Sequence, residues 1–202
     1  LMPRPLSRPD AFSRLGWLAL AIDRLSLAER HFEAVLRVDP EHAASLAGLV
    51  AFETRRGHLS GAEDHLTRAN AAVPNDPQVC VASVRLALAH AKVAETPQER
   101  AARASDARDR LETCSEPAVP ASLRSALVGE SFLVEGQALA ARAPLDHAET
   151  LLPSNLESRL LRARQRLDEG RVATGRALAM SVLARSHDDA QGDAARAMAL
   201  PD

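Results

Sequence analysis

The chain has 202 residues, 25 Lys+Arg against 27 Asp+Glu, a formal charge of -2 and 46% hydrophobic residues. That apolar content excludes a disordered tail, and the near-balance of charge excludes a nucleic-acid binder of the basic-patch kind, which needs a net pull on phosphates. Four Phe, one Trp and no Tyr leave 2% aromatic residues, a composition suited to helices packed through small side chains, whereas strands would draw on more branched and aromatic ones.

In chain order, residues 1–8 are expected as an extended segment, because Pro3, Pro5 and Pro9 stand in MPRPLSRP and proline blocks helix formation. Leu1 ahead of Met2 reads either as a leftover residue before a native start or as the edge of an excised fragment. No apolar stretch ends in a small-residue cleavage site, as a signal peptide would require. The longest early apolar run, Gly16 to Ile22, falls far short of the roughly 20 residues of a membrane span. A cytoplasmic protein with no membrane span is the expectation. Phe12, Leu15, Gly16 and Ala19 then share one helical face, and Ala28, Phe32, Val35 and Leu36 share another after a break. Asp23 and Gly57 sit where helices turn, and Pro40 and Pro74 close helical pairs. Thr96-Pro97-Gln98-Glu99 is a capping box with proline at the first helical position. Pro144 predicts a helix that kinks or starts late. Asp188 to Leu200 is expected as a short terminal helix that covers the exposed face of the last repeat.

The chain also repeats itself. Leu15 and Leu49, Ala28 and Ala62, Phe32 and Leu66, Pro40 and Pro74, and Gly136 and Gly170 are each 34 residues apart. Gly57 to Gly136, Ala62 to Ala141, Leu66 to Leu145 and Pro74 to Pro153 are offset by 79, which is two periods plus eleven residues. The units therefore run 9–42, 43–76, 77–121 with the insertion, 122–155 and 156–189, followed by a capping segment, 190–202. Eleven residues are about three helical turns, so both helices of the third unit are expected to be longer. A single helical pair cannot bury its apolar face alone, so such units stack.

The pattern of an aromatic, Leu-Gly, a small residue, an aromatic and a closing Pro resembles the tetratricopeptide repeat. The first unit matches it with Phe12, Leu15-Gly16, Ala28, Phe32 and Pro40, and the second with Leu49, Gly57, Ala62, Leu66, Ala69 and Pro74. The fourth matches with Gly129, Phe132, Gly136, Ala141, Ala148 and Pro153. In the fifth, Arg159, Arg162 and Arg166 stand at sites the family fills with apolar residues, and a one-residue slip would turn Leu160, Ala163 and Leu167 inward instead. The resemblance implies an all-α superhelix, or solenoid, of five helix-turn-helix repeats acting as a protein-interaction scaffold or adaptor. Its ligands would be extended peptides or amphipathic helices laid along the first helices of the pairs.

On that implied face the candidate peptide-binding residues are Trp17, Leu20, Ala51, Arg55, Arg85, Leu88, Glu130 and Leu133, joined by small or apolar neighbours. Trp17 is the sharpest of them, as the only Trp of an aromatic-poor chain, and tryptophan is enriched among binding hot spots; the competing reading packs it into the core. The Lys, Asn and Arg clamp with which one subclass holds acidic chaperone tails is absent, since Ser13, Trp17, Gly48, Gln78 and Ala82 occupy its sites.

Enzymatic readings find little support. The seven His include no pair at the three- or four-residue spacing that would set two ligands over one metal. Gly170 to Gly175 (GRVATG) lacks the lysine of a phosphate loop. Gln98 to Glu112, with four Arg and four acidic residues, reads as a solvated helix face. Cys80 and Cys114 have no partner motif and are expected to fill core space. The sequence therefore predicts a non-catalytic scaffold with no metal and no cofactor, whose partner is a protein or peptide and not a nucleic acid. Two other readings stay open: the recruiting region of a larger enzyme, such as a repeat-fused hydroxylase, sulfotransferase or glycosyltransferase, and a homo-oligomer assembled through the terminal repeats.

Overall fold

A computed structural model describes residues 7–114 and 119–184, and the regular structure among them is helical. The chain divides into two compact units, Leu1–Pro120 and Ala121–Asp202. The expected terminal helix and the capping segment 190–202 lie outside the described residues, as does most of the extended segment 1–8.

The first unit holds α1 (Arg8–Ala21), α2 (Leu25–Leu36), α3 (Ala43–Arg56), α4 (Leu59–Ala72), α5 (Pro77–Lys92) and α6 (Pro97–Thr113). They pack as three hairpins, α1 with α2, α3 with α4 and α5 with α6, and each hairpin also touches the next. Local chemistry starts them. The side chains of Ser7, Asp76 and Thr96 accept the otherwise unpaired amides of Asp10, of Gln78 and Val79, and of Glu99, and a proline stands in the first turn of all three helices. Between paired helices the chain reverses through one left-handed residue, Asp23 at φ 60° in the first hairpin and Gly57 at φ 77° in the second. Glycine takes that conformation without the clash a side chain brings.

The ring of Phe32 is enclosed and lies between two glycines of neighbouring hairpins. A Cβ on Gly16 would sit 2.5 Å from it, and one on Gly48 would press on the same ring. Around it, Ala19, Leu20 and Ala28 meet Leu49 and Phe52 of the second hairpin. A second cluster, including Val50, Leu66 and Ala69, joins that hairpin to Val79, Ala82 and Leu86 of the third. The third hairpin is the long one, with helices of 16 and 17 residues against 14 and 14 in the second. The turn of that hairpin, residues 93–96, is also longer than the two-residue turn of the second.

The two cysteines do not fill core space separately. Cys80 and Cys114 form a disulfide with Cα atoms 5.8 Å apart, because α5 and α6 run back to back and bring the first turn of one beside the end of the other. The expectation failed because no cysteine motif marks a pair joined across a hairpin.

The second unit holds α7 (Ala121–Val134), α8 (Arg142–Leu151), α9 (Leu156–Asp168) and a further helix, α10, over residues 172–184. Helix α8 starts late, after a run of turns at 138–141. Pro144 then falls in its first turn, where no backbone amide is required. Leu133, Ala138, Ala141 and Leu145 form the core, and a Cβ on Gly129 would sit 2.6 Å from Leu145. The one-residue slip does not occur in α9. Ala163 is buried, but Leu160 and Leu167 are exposed, and Arg159, Arg162 and Arg166 keep the half-buried sites. They are tolerated because polar groups meet this cluster: Arg162 reaches Asp146, and Arg159 donates to the Ser181 hydroxyl at 3.0 Å.

Candidate protein-binding surface

In the first unit, α1, α3 and α5 lie side by side, α3 touching both of the others. Three polar ties hold α1 to α3. At the start, His42 caps α3 by accepting the Ser45 amide at Nδ1, which leaves its ring proton on Nε2, 3.2 Å from Asp10 Oδ1. The Ser7 hydroxyl, 2.6 Å from the other oxygen of Asp10, does most to hold that carboxyl below its usual range, and His42 adds to it. Midway, the indole N–H of Trp17 donates to the Ala44 carbonyl at 3.1 Å. At the end, Arg55 donates to the Leu20 carbonyl in the last turn of α1, which also accepts the Asp23 amide.

Trp17, Ala51 and Arg85 occupy the same repeat position on α1, α3 and α5. The Trp17 ring stands edge-on to Phe32, with centroids 5.7 Å apart, while 36% of the residue stays exposed. It therefore serves as packing and as surface at once. Ala51 is half-buried, and Arg55 and Arg85 are exposed. In the second unit, Glu130 holds the corresponding position on α7 and is half-buried.

Leu20, Leu88 and Leu133 do not line an open face. All three are buried. Each lies three residues beyond Trp17, Arg85 or Glu130, only about 60° around the helix from it, and for Leu20 that step leads from the edge of the surface row into the contact with the next hairpin. Leu20 packs on Leu49 and Phe52, so the leucines support the row from beneath.

Residue patterning on α1, α3 and α5 did not point to a second concavity. A cleft of about 440 Å³ opens between α4 and α6 over α5, with Leu66 and Leu86 among its apolar residues and Asn70 and Arg103 among its polar ones. His90 Nε2 lies 2.9 Å from Glu63 Oε1 there, and Arg110 Nε lies 2.8 Å from Asp106. The polar stripe Glu63, Thr67 and Asn70 on α4 is its only sequence signal, and without α6 opposite it is indistinguishable from a solvent-facing stripe. Among the described residues no three His, Cys, Asp or Glu side chains gather as they would around a metal ion, and no helix is long and apolar enough to cross a membrane.

Hairpins of antiparallel helices at a 34-residue period, with a left-handed residue (Asp23, Gly57, Gly136 or Gly170) in the turn of all but the third, define an all-α solenoid. The solved structures identify which one. A thermophilic tetratricopeptide-repeat protein of Thermus thermophilus is similar at a TM-score of 0.75 and 22% identity, over 95% of this chain and 100% of that one. The pilF protein of Pseudomonas aeruginosa is similar at 0.58 and 17%, over 88% and 75%. The chain has the tetratricopeptide-repeat fold. Its sequence matches no protein-family model and no curated protein.

Proposed function

We propose that the protein is a non-catalytic interaction scaffold of five repeats, and that a partner's peptide or amphipathic helix lies across α1, α3 and α5 of the first unit. The observation that carries this reading is Trp17. Its N–H is already bonded to Ala44, so what it offers a ligand is a rigid apolar ring face that costs little entropy to order. Ala51 leaves room beside it, and Arg55 and Arg85 favour acidic side chains on the ligand. Glu130 supplies a separate polar contact in the second unit. The fold of the similar structures supports a scaffold as such.

The test is quantitative affinity capture with wild type and a Trp17→Ala, Arg85→Glu double variant. Loss of the same proteins from the variant is expected; an unchanged set of captured proteins would remove the α1–α3–α5 surface as the binding face. The Cys80–Cys114 bond also favours an oxidising compartment over the cytoplasmic location expected from sequence, because structural disulfides persist where thiols are not kept reduced. Alkylation of cell extracts under acid quench checks this: two blocked thiols without prior reduction would return the protein to a reducing compartment.

A further inference from the structure

Helix α1 is apolar on two faces. One, with Gly16, Ala19 and Leu20, is buried against α2 and α3. The other carries Leu15, Leu18 and Ile22, spaced three and four residues apart so that they form one stripe, and they are 46%, 60% and 69% exposed. The repeat shows what such a stripe is for. One period on, the counterparts of Leu15 and Leu18 are Leu49 and Phe52, both buried against Ala19, Leu20, Ala28 and Phe32 of the preceding hairpin. The counterpart of Leu18 in the third hairpin, Leu86, is buried in the cluster shared with the second. Helix α1 thus has the make-up of an internal helix, and its stripe is a stacking surface.

The matching half occurs in the last described hairpin. In the same register, Leu20 corresponds to Leu167 of α9 and Phe32 to Ala179 of α10. Leu167 is 39% exposed, Ala179 half-buried and the adjacent Met180 exposed. We propose that the Leu15–Leu18–Ile22 stripe of one molecule receives the α9–α10 hairpin of a second copy, repeating between molecules the contact that α1 and α2 make with α3 within the first unit. Arg166 stands where the internal contact has Ala19, so this interface is less apolar than the one it repeats. A single hairpin face is also smaller than a stable interface, so dissociation constants of about 10 µM to 1 mM are expected. The contact is head-to-tail, joining different surfaces of two copies, and therefore does not stop at a dimer by symmetry. It is independent of the peptide-binding reading, whose row of positions it does not use.

Sedimentation equilibrium of the full chain tests it. The weight-average mass of wild type should rise above 21.6 kDa with concentration. Leu18→Glu and Leu167→Glu should each stay monomeric, with association weakened at least about tenfold, the effect of a loss of 1.4 kcal/mol. Mixed one to one, each supplies the face the other lacks, so the mixture should form a heterodimer that grows no further. Circular dichroism checks that both fold, and Leu15→Glu replaces Leu18→Glu if that variant does not. Three results overturn the proposal: a monomeric wild type at about 1 mM, association of Leu167→Glu equal to wild type, which signals two-fold pairing of α1, or association that begins only once residues 1–6 or residues 185–202 are removed.

Discussion

The two units use the same hairpin register but fill it with different chemistry. In the first, Phe12 and Leu46 and then Leu15 and Leu49 occupy two successive repeat positions; in the second, α9 carries Arg159 and Arg162 there. The first unit is held by two apolar clusters, one of them built around an aromatic ring between glycines, and by a disulfide. Around α9 the second relies on charge. Arg142 donates to Glu169 at 2.7 Å, Gln165 adds a bond to the same carboxylate, and Arg162 reaches Asp146. The hairpin geometry is therefore set by the small residues and turns, Ala163 standing where Gly16 and Gly129 do, while neighbouring positions accept whatever can be satisfied.

The contrast predicts where each unit breaks. Reduction of the disulfide, or Cys114→Ser, has the largest expected effect. It releases a loop of 34 residues, about 4 kcal/mol in the chain-entropy account. Hydrogen exchange should show faster opening across α5 and α6 with α7–α9 unchanged, and equal acceleration in both units would end the claim that the units differ in what holds them. Next comes Gly48→Ala, which forces a methyl onto the enclosed Phe32 ring and should cost about 1–3 kcal/mol in denaturant melts. Adding Phe32→Leu should recover part of that loss. A smaller change of opposite sign is expected for Asp23→Gly, which relieves a left-handed non-glycine residue and should stabilise the first unit by about 1 kcal/mol.

The smallest effect belongs to the charges of the second unit, because Arg142 is half-exposed and screened. The hydrogen bond from Arg142 is the main cause holding the Glu169 carboxyl below the ordinary glutamate range. A carboxylate with a depressed folded pKa stabilises fully above its unfolded pKa and loses that contribution as pH falls through the depressed value. Acidification should therefore speed exchange in α8 and α9, and Glu169→Gln should flatten that response.

Hairpins were legible because prolines, glycines and small residues recur at fixed positions that backbone geometry requires, as Pro40, Gly57 and Ala62 do. Side-chain direction was less so. Trp17 and Leu20 lie three residues apart on one helix, and whether that arc is surface or core depends on where the next hairpin packs. The disulfide was hidden for a related reason, since a 34-residue separation in sequence becomes adjacency only when α5 folds back on α6. The α4–α6 cleft needed the position of a lengthened helix, which an insertion does not disclose. The arginines of α9 misled in another way: a guanidinium at an apolar site suggests a slipped register until partners such as Asp146 for Arg162 and Ser181 for Arg159 are placed.

The bond from Trp17 to Ala44 also governs how the molecule is seen in solution. With one tryptophan and no tyrosine, intrinsic fluorescence comes from the junction of α1 and α3 alone, and a fluorescence-detected melt follows the first unit while staying silent on the second. Agreement between that signal and helical dichroism would mean the units unfold together; a gap between the two curves measures their independence without a label.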